Sequence, residues 1–131
     1  MSCMESKFAL RAEIKELEGA SYHDAYNYFI NKLGEPSEVE DWEDKIEFFT
    51  YDKNEHDIVP ILDYSTKRWG IDYLLQYSYD GEMIKGLRSF SINDLLSKMK
   101  ILEEKFNVST DEISIVNYEW YNGSDEPVHI K

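Results

Sequence analysis

The sequence predicts an α+β fold: one mainly antiparallel sheet of about six strands with two helices packed on one face, in the order β-α-β-β-β-β-α-β. Two apolar stripes at helical spacing and one Asp-Gly dipeptide between strand-like runs indicate this arrangement. With 42% hydrophobic and 15% aromatic residues, the 131-residue chain is expected to form a single domain, 1–131, with a sizeable core.

Alternation of apolar and charged residues predicts that the first strand includes Phe8 to Ile14. The rival interpretation is a helix that runs into the next element, because alanine, leucine, arginine, glutamate and lysine all favour helices. Gly19 favours a break after the strand.

The first helix is predicted over Tyr22–Leu33, where apolar residues recur at helical spacing. Ser21 is the expected N-cap, and Asp24 lies three residues on, as in a capping box. Gly34 and Pro36 supply a stop signal at the other end of the helix.

The next segment, Glu35–Asp44, is predicted to be an acidic loop. The β-forming run Ile46–Tyr51 predicts a strand, and a polar turn separates it from a return strand at Ile58–Tyr64. Because proline has no amide hydrogen to donate, Pro60 is expected to place that return strand at a sheet edge or at a bulge.

Ile71–Tyr79 and Glu82–Phe90 predict a β-hairpin around Asp80-Gly81, the dipeptide that suits a type I′ turn. A second amphipathic helix follows at Ser91–Phe106, with Ser91 as its N-cap. The run Ile113–Tyr121 predicts the last strand.

The strongest functional feature is the acidic stretch 35–57, in which ten carboxylates face two lysines and contribute −8 of the net charge of −13. Such a field attracts basic surfaces, and a tryptophan within it is typical of an interface anchor rather than of a solvated loop. The alternative is a surface that only aids solubility. The candidate partner-binding residues here are Glu38, Glu40, Asp41, Trp42, Glu43, Asp44 and Glu47.

A second candidate binding segment follows the second predicted helix and includes the last predicted strand. Trp120 and Tyr121 point to opposite faces of the predicted last strand, so one of them is expected at the surface beside Asp125 and Glu126. Packing of an edge strand explains these aromatic residues equally well.

The sequence carries no recognisable catalytic, phosphate-binding or metal-ligand pattern, so we expect no enzymatic activity, no cofactor and no metal. The acidic balance disfavours direct binding to nucleic acid or membranes. Cys3 is the only cysteine, which fits a reducing cytoplasmic compartment, and no leader or membrane-spanning pattern is evident. Charge repulsion favours a monomer or a weak dimer.

In composition the chain resembles bacterial immunity proteins, which neutralise a cognate toxin, often a basic nuclease. The resemblance implies a small acidic inhibitor that covers the toxin's active-site surface. One alternative is a DNA-mimic inhibitor of phage origin, of the anti-restriction or anti-CRISPR type. Another is a small ligand-binding or enzymatic domain that uses the sheet face, which would require a pocket with convergent polar groups.

Overall fold

The computed structural model describes residues 3–49, 57–79, 82–85, 91–122 and 128–130. Within them, two α-helices accompany one antiparallel sheet, and the predicted α+β fold is confirmed. The main path of the sheet has the order β2-β3-β4-β5-β1-β7-β8, and β6 pairs with β5 beside this path. Six of the eight strands correspond to the predicted ones, and β2 and β8 are short additions at the two ends of the path. The strands are β1 (Cys3–Glu13), β2 (Glu38–Asp41), β3 (Lys45–Phe49), β4 (Ile58–Asp63), β5 (Arg68–Tyr79), β6 (Glu82–Lys85), β7 (Ser114–Asn122) and β8 (Val128–Ile130).

Both helices have the predicted termini, because local capping determines where they begin and end. Helix α1 is Tyr22–Leu33, and the Ser21 hydroxyl accepts a hydrogen bond from the amide of Asp24 at 3.1 Å. Helix α2 is Ile92–Phe106, and it begins with a complete capping box between Ser91 and Asp94.

The segment predicted as a loop, Glu35–Asp44, contains strand β2, so that prediction is wrong. Its four residues pair antiparallel with β3, from Glu38 opposite Phe49 to Asp41 opposite Ile46. The tertiary pairing with the apolar β3 overrides the low strand propensity of the acidic residues. As a result, the acidic segment forms one end of the sheet's main path.

Pro60 lies in a strand with neighbours on both sides and no bulge in either ladder, which corrects the prediction of a sheet edge or a bulge. Strand β4 pairs with β5 along its whole length, with Pro60 opposite Ile71. Its ladder with β3 ends at the pair Glu47 and Ile61, so Pro60, the residue next to Ile61, is not part of that ladder. The missing amide donor is therefore accommodated by a ladder that stops locally.

The predicted hairpin is present in its strands: β5 and β6 pair antiparallel, with Tyr79 opposite Glu82. The turn Asp80-Gly81 and the predicted continuation of β6 through 86–90 lie outside the described residues, as do 50–56.

The sheet has a helix face and a second face, and the apolar core lies on the helix face. Residues of both helices, including Phe29 and Phe106, pack there against strand residues such as Phe48, Trp69 and Ile71. The helices are also tied at their ends, because each of two lysines on the two helices donates to a backbone carbonyl of the other helix. This arrangement confirms that both helices lie on one face.

The α2 capping box allows a direct stability test. Replacement of Ser91 by alanine removes one half of the box and should lower the free energy of unfolding by about 1 kcal/mol. Ser97→Ala is the matched control, since Ser97 is exposed in mid-helix, where alanine has the better propensity. Urea unfolding of both variants measures the difference, and equal stabilities would contradict the capping role.

Candidate functional site

The second face of the sheet carries a buried group of charged residues that we name the ion cluster. Its members are Lys7, Arg11, Lys45, Glu47 and Asp72. The side chains of Lys7, Glu47 and Asp72 have no exposed surface at all. Around them lies a small apolar group made of Ala9, Phe49, Val59, Leu74 and Tyr77.

Lys7 joins carboxylates from two different strands. Its ammonium donates to Glu47 Oε2 at 2.5 Å and to Asp72 Oδ2 at 3.0 Å. Lys7 is on β1 and Glu47 is on β3, with β5 and β4 between them. The register also separates the two residues along the strands, because Lys7 is opposite Tyr77 whereas Glu47 is level with Gly70. The sheet must therefore curve toward its second face for these side chains to meet, and their contact ties β1 to β3 across β5 and β4.

Asp72 is the carboxylate on which the cluster converges. Arg11 donates to it twice, from Nε at 2.6 Å and from Nη2 at 2.8 Å, while Lys7 donates to one of the same oxygens. Burial alone would raise the pKa of Asp72, but the charge of Lys7 and the hydrogen bonds from Arg11 hold that pKa well below its usual range. Asp72 is therefore ionised in the folded protein at neutral pH.

The contacts that lower the pKa of Asp72 raise the pKa of Arg11. Burial alone would lower the pKa of Arg11, but the hydrogen bonds and charge of Asp72, with smaller contributions from Glu47 and Asp63, raise it. Because two of its donor groups are held by a buried carboxylate, the guanidinium has a fixed orientation. Its side chain remains 35% exposed, so one part of it stays accessible.

Beside the ion cluster lies a cavity of about 190 Å³, which we name the second-face cavity. Arg11 is common to both, because it lines the cavity while its other side is bonded to Asp72. The remaining charged lining residues are Glu13, Asp63 and Arg68. Two guanidinium groups and two carboxylates thus converge on one small space.

Gly70 lines this cavity at a point where β5 and β1 approach each other closely. A Cβ atom on Gly70 would lie 2.7 Å from the backbone oxygen of Ala12. Any larger residue would push β5 away from β1 or clash with it. A glycine at this position therefore also keeps the cavity free of a side chain.

A different arrangement occurs at β2, where acidic and aromatic side chains meet at the surface. Tyr64 donates a hydrogen bond from its hydroxyl to Asp41 Oδ1 at 2.7 Å. Burial, together with that bond and the charge of Asp41, raises the pKa of Tyr64 to about 12. Burial and the charges of Tyr26 and Asp41 likewise raise the pKa of Tyr22, so both tyrosines stay protonated near neutral pH.

We name this surface the acidic edge, and its exposed members are Glu38, Val39, Asp41, Glu43, Tyr22 and Tyr64. Tyr22 is 48% exposed, yet its ring contacts the buried rings of Phe48 and Trp69. The tyrosine therefore has a position fixed by the core and a face open to solvent.

The structure separates the residues that the sequence had grouped as one binding stretch. Glu38, Asp41 and Glu43 are exposed, whereas Glu40, Trp42 and Asp44 are half-buried. The Trp42 ring lies 5.8 Å from the ammonium of Lys45, a cation–π contact within the chain itself.

Glu47 is the clear exception to the predicted binding surface. It is fully buried and bonded to Lys7, so its carboxylate does not lie on the surface. The physical reason is alternation along β3, which places Glu47 and its neighbour Lys45 two residues apart on the second face.

The other candidate segment lies at the far side of the sheet. Trp120 and Tyr121 belong to β7, where they pair with Glu5 and Met4 of β1. Asp125 and Glu126 lie outside the described residues. Strands β1, β5 and β4 separate β7 from the β3–β2 end of the sheet, so the two predicted segments do not form one surface.

Sequence reasoning did not find the ion cluster or the second-face cavity. One signal for them was present: Glu47 and Asp72 are single carboxylates inside apolar runs, at Ile46–Phe49 and Ile71–Leu75. A lone carboxylate in a buried strand requires a cation nearby. The sequence does not reveal which cation, because Lys7 and Arg11 are 40 and 61 residues away from their partners.

Comparisons of the chain with known protein families, curated proteins and solved structures found no match. Among the described residues, no helix is long and apolar enough to span a membrane. In the same part of the chain, no group of three or more His, Cys, Asp or Glu side chains is arranged to hold a metal ion. Function is therefore inferred from the geometry of the chain's own surfaces.

The ion cluster predicts that Asp72→Asn strongly lowers the free energy of unfolding. Removal of one partner from a buried ion network leaves the others uncompensated, so the free energy of unfolding at pH 7 should fall by about 3–5 kcal/mol. Equilibrium urea unfolding followed by tryptophan fluorescence measures the loss. Glu104→Gln, an exposed carboxylate on α2, is the matched control and should change stability by less than about 0.5 kcal/mol.

The difference between wild type and Asp72→Asn should also depend on pH. Because the folded pKa of Asp72 is lowered, its stabilising contribution is complete above the unfolded pKa of about 3.9 and declines as pH falls toward the folded value. The stability difference should therefore be constant from about pH 5 to 7 and narrow below about pH 4. A difference that stays constant down to about pH 2 would contradict the assigned charge state.

Proposed function

We propose that the chain is a protein-binding inhibitor that uses the acidic edge to cover a basic surface of its partner, in the manner of an immunity protein that neutralises a nuclease-type toxin. The observation that carries this proposal is the contact of Asp41 with Tyr64, next to the exposed ring of Tyr22. Carboxylates and aromatic rings at one place suit the lysine and arginine side chains of a nucleic-acid-binding surface.

The two kinds of residue have different roles in such a complex. The carboxylates Glu38, Asp41 and Glu43 are exposed, so they add to the long-range attraction that steers a cationic partner. The rings of Tyr22 and Tyr64 provide rigid apolar area and faces for cation–π contacts once the partner has arrived. Both tyrosines are held in position before binding, which lowers the entropy cost of association.

The net charge of −13 supports the same proposal, because it gives a fast encounter with a basic protein and opposes self-association. We place this function in the cytoplasm, where an inhibitor would protect the cell that makes the toxin.

A DNA-mimic inhibitor of phage origin relies on similar charges, and the identity of the captured partner distinguishes the two.

Charge reversal at the acidic edge tests the steering role. The triple variant Glu38→Lys, Asp41→Lys and Glu43→Lys should slow association with a basic nuclease-type toxin, such as one encoded beside this gene. The association rate of the wild type should fall steeply between about 0.01 M and 0.15 M salt, as the Debye length shrinks from about 30 Å to about 8 Å. The variant should lose most of that salt dependence. Surface plasmon resonance measures both rates.

The matched control reverses the same number of charges elsewhere. Glu16→Lys, Glu18→Lys and Glu104→Lys alter exposed carboxylates that lie outside the acidic edge and change the net charge equally. If the control slows association as much as the edge variant does, only net charge matters and the acidic edge is not the interface.

Tyr64 tests the second role, which is retention of the bound partner. Tyr64→Ala should raise the dissociation rate, with the loss of about 2 kcal/mol in binding that is typical of a hot spot. Its association rate should stay within about twofold of wild type, because no formal charge is lost. The matched control is Tyr64→Phe, which keeps the ring and removes only the hydroxyl bonded to Asp41. Dissociation as slow as that of wild type for Tyr64→Ala would remove the tyrosine from the proposed interface.

A further inference from the structure

We propose that the second-face cavity binds a small zwitterion, a molecule that carries one carboxylate and one ammonium group. This site is independent of the acidic edge, since its residues come from β1, β4 and β5 and from the turn between β4 and β5, on the second face of the sheet. The contacts of Arg11, Arg68, Asp63 and Glu13 carry the inference.

Arg11 is oriented for a ligand carboxylate. A guanidinium has five N–H donors in a planar fork, and Asp72 engages only the Nε and Nη2 positions. The buried Asp72 has no exposed surface, so it fixes the arginine from behind without closing the cavity. The part of Arg11 that stays exposed can then donate to an anionic group without any reorganisation.

Arg68 provides a second cation at the rim. Its side chain is 58% exposed, and its contact with Glu13 is long, with Nη1 and Oε2 separated by 3.3 Å. This pair is weak because it is open to water, so Arg68 can turn toward a ligand carboxylate at little cost.

Asp63 is the matching group for an ammonium. Its Oδ1 accepts hydrogen bonds from the amide and the hydroxyl of Ser65, at 2.9 and 2.7 Å. These bonds hold the carboxylate at the end of β4 against the turn that follows and use one of its two oxygens. Asp63 also lines the cavity and is close enough for its charge to act on Arg11.

The balance of charges selects a zwitterion over a simple anion or cation. An anion bound to the arginines would lie close to Asp63 and Glu13, and a cation bound to these carboxylates would lie close to Arg11 and Arg68. Each would meet like charges in a partly desolvated space, which costs free energy. A ligand with both charges satisfies both pairs.

Size and spacing narrow the ligand further. A cavity of about 190 Å³ fits a ligand of about amino-acid size. Arg11 is level with Val59, so Asp63 lies two strand spacings from it across the sheet and four residues from it along β4. Both side chains line the same small cavity, so the ligand needs a short spacer between its charged groups.

Amide chemical-shift mapping of the intact protein tests the site, with glycine, β-alanine and 4-aminobutyrate as zwitterions of increasing spacer length. At least one of them should cause saturable shifts in Arg11–Glu13 and Arg68–Gly70. Acetate and methylammonium, which each carry one of the two charges, should bind at least about tenfold more weakly because each leaves one pair of site charges unmatched.

Two variants test the assigned groups without disturbing the buried ion cluster. Arg68→Gln removes an exposed cation, and Asp63→Asn keeps an acceptor oxygen for Ser65 but removes the charge. Each should weaken zwitterion binding by at least about tenfold while the melting temperature stays within a few degrees of wild type. Lys100→Gln, an exposed lysine on α2, is the matched control and should bind like wild type.

The proposal is overturned if none of the three zwitterions gives saturable shifts at these amides. It is also overturned if acetate binds as strongly as the best zwitterion, since the site would then be a plain anion site. Binding that survives in both folded variants would show that Arg68 and Asp63 are not the recognising groups.

Discussion

The buried carboxylate of Asp72 is the group on which the arrangement of the central strands depends. It accepts hydrogen bonds from Lys7 and Arg11, which lie four residues apart on the same side of β1. Lys7 also donates a hydrogen bond to Glu47 on β3. A slip of β1 by one residue would turn both cations to the helix face and leave two carboxylates buried without partners. The ion cluster thus favours the observed register of β1, because a register shifted by one residue would cost the free energy of burying unpaired carboxylates. This role differs from a gain in net stability, since replacement of a whole buried ion cluster by an apolar core of the same shape is often neutral or stabilising.

The sheet divides its tasks between its two faces. The helix face holds the apolar core, in which Phe29, Phe48, Trp69 and Phe106 form a connected group of rings. The second face holds the ion cluster and the second-face cavity, where bases and acids are nearly balanced. In a chain with a net charge of −13, that balance means that the excess negative charge lies elsewhere, and three of its carboxylates, Glu38, Asp41 and Glu43, are exposed on the acidic edge. The proposed partner surface at the edge and the proposed ligand site in the cavity therefore use different sets of charges.

The acidic edge also shows how the proposed partner-binding surface coexists with an exposed strand. Strand β2 lies at one end of the sheet's main path, a position that invites pairing with other chains. Its carboxylates at Glu38 and Asp41 oppose association with another copy of the same acidic chain. In the proposed function the same charges attract a basic partner, so one set of residues would serve both purposes.

By itself the sequence determined the two helices, six of the eight described strands and the fold class, because these follow from local rules: capping at Ser21 and Ser91, helical stripes, and alternation along β1. It also determined the excess of charge in the stretch 35–57. The tertiary structure alone decided which charges are exposed. Glu47 and Asp41 belong to the same acidic stretch, yet strand pairing buries one beside Lys7 and leaves the other at the surface beside Tyr64. The second-face cavity is likewise tertiary, since Arg11, Asp63 and Arg68 come from three strands that only the fold brings together. Contacts between residues 40 to 65 positions apart leave no periodic trace in a sequence, which is the physical reason why the site could not be predicted.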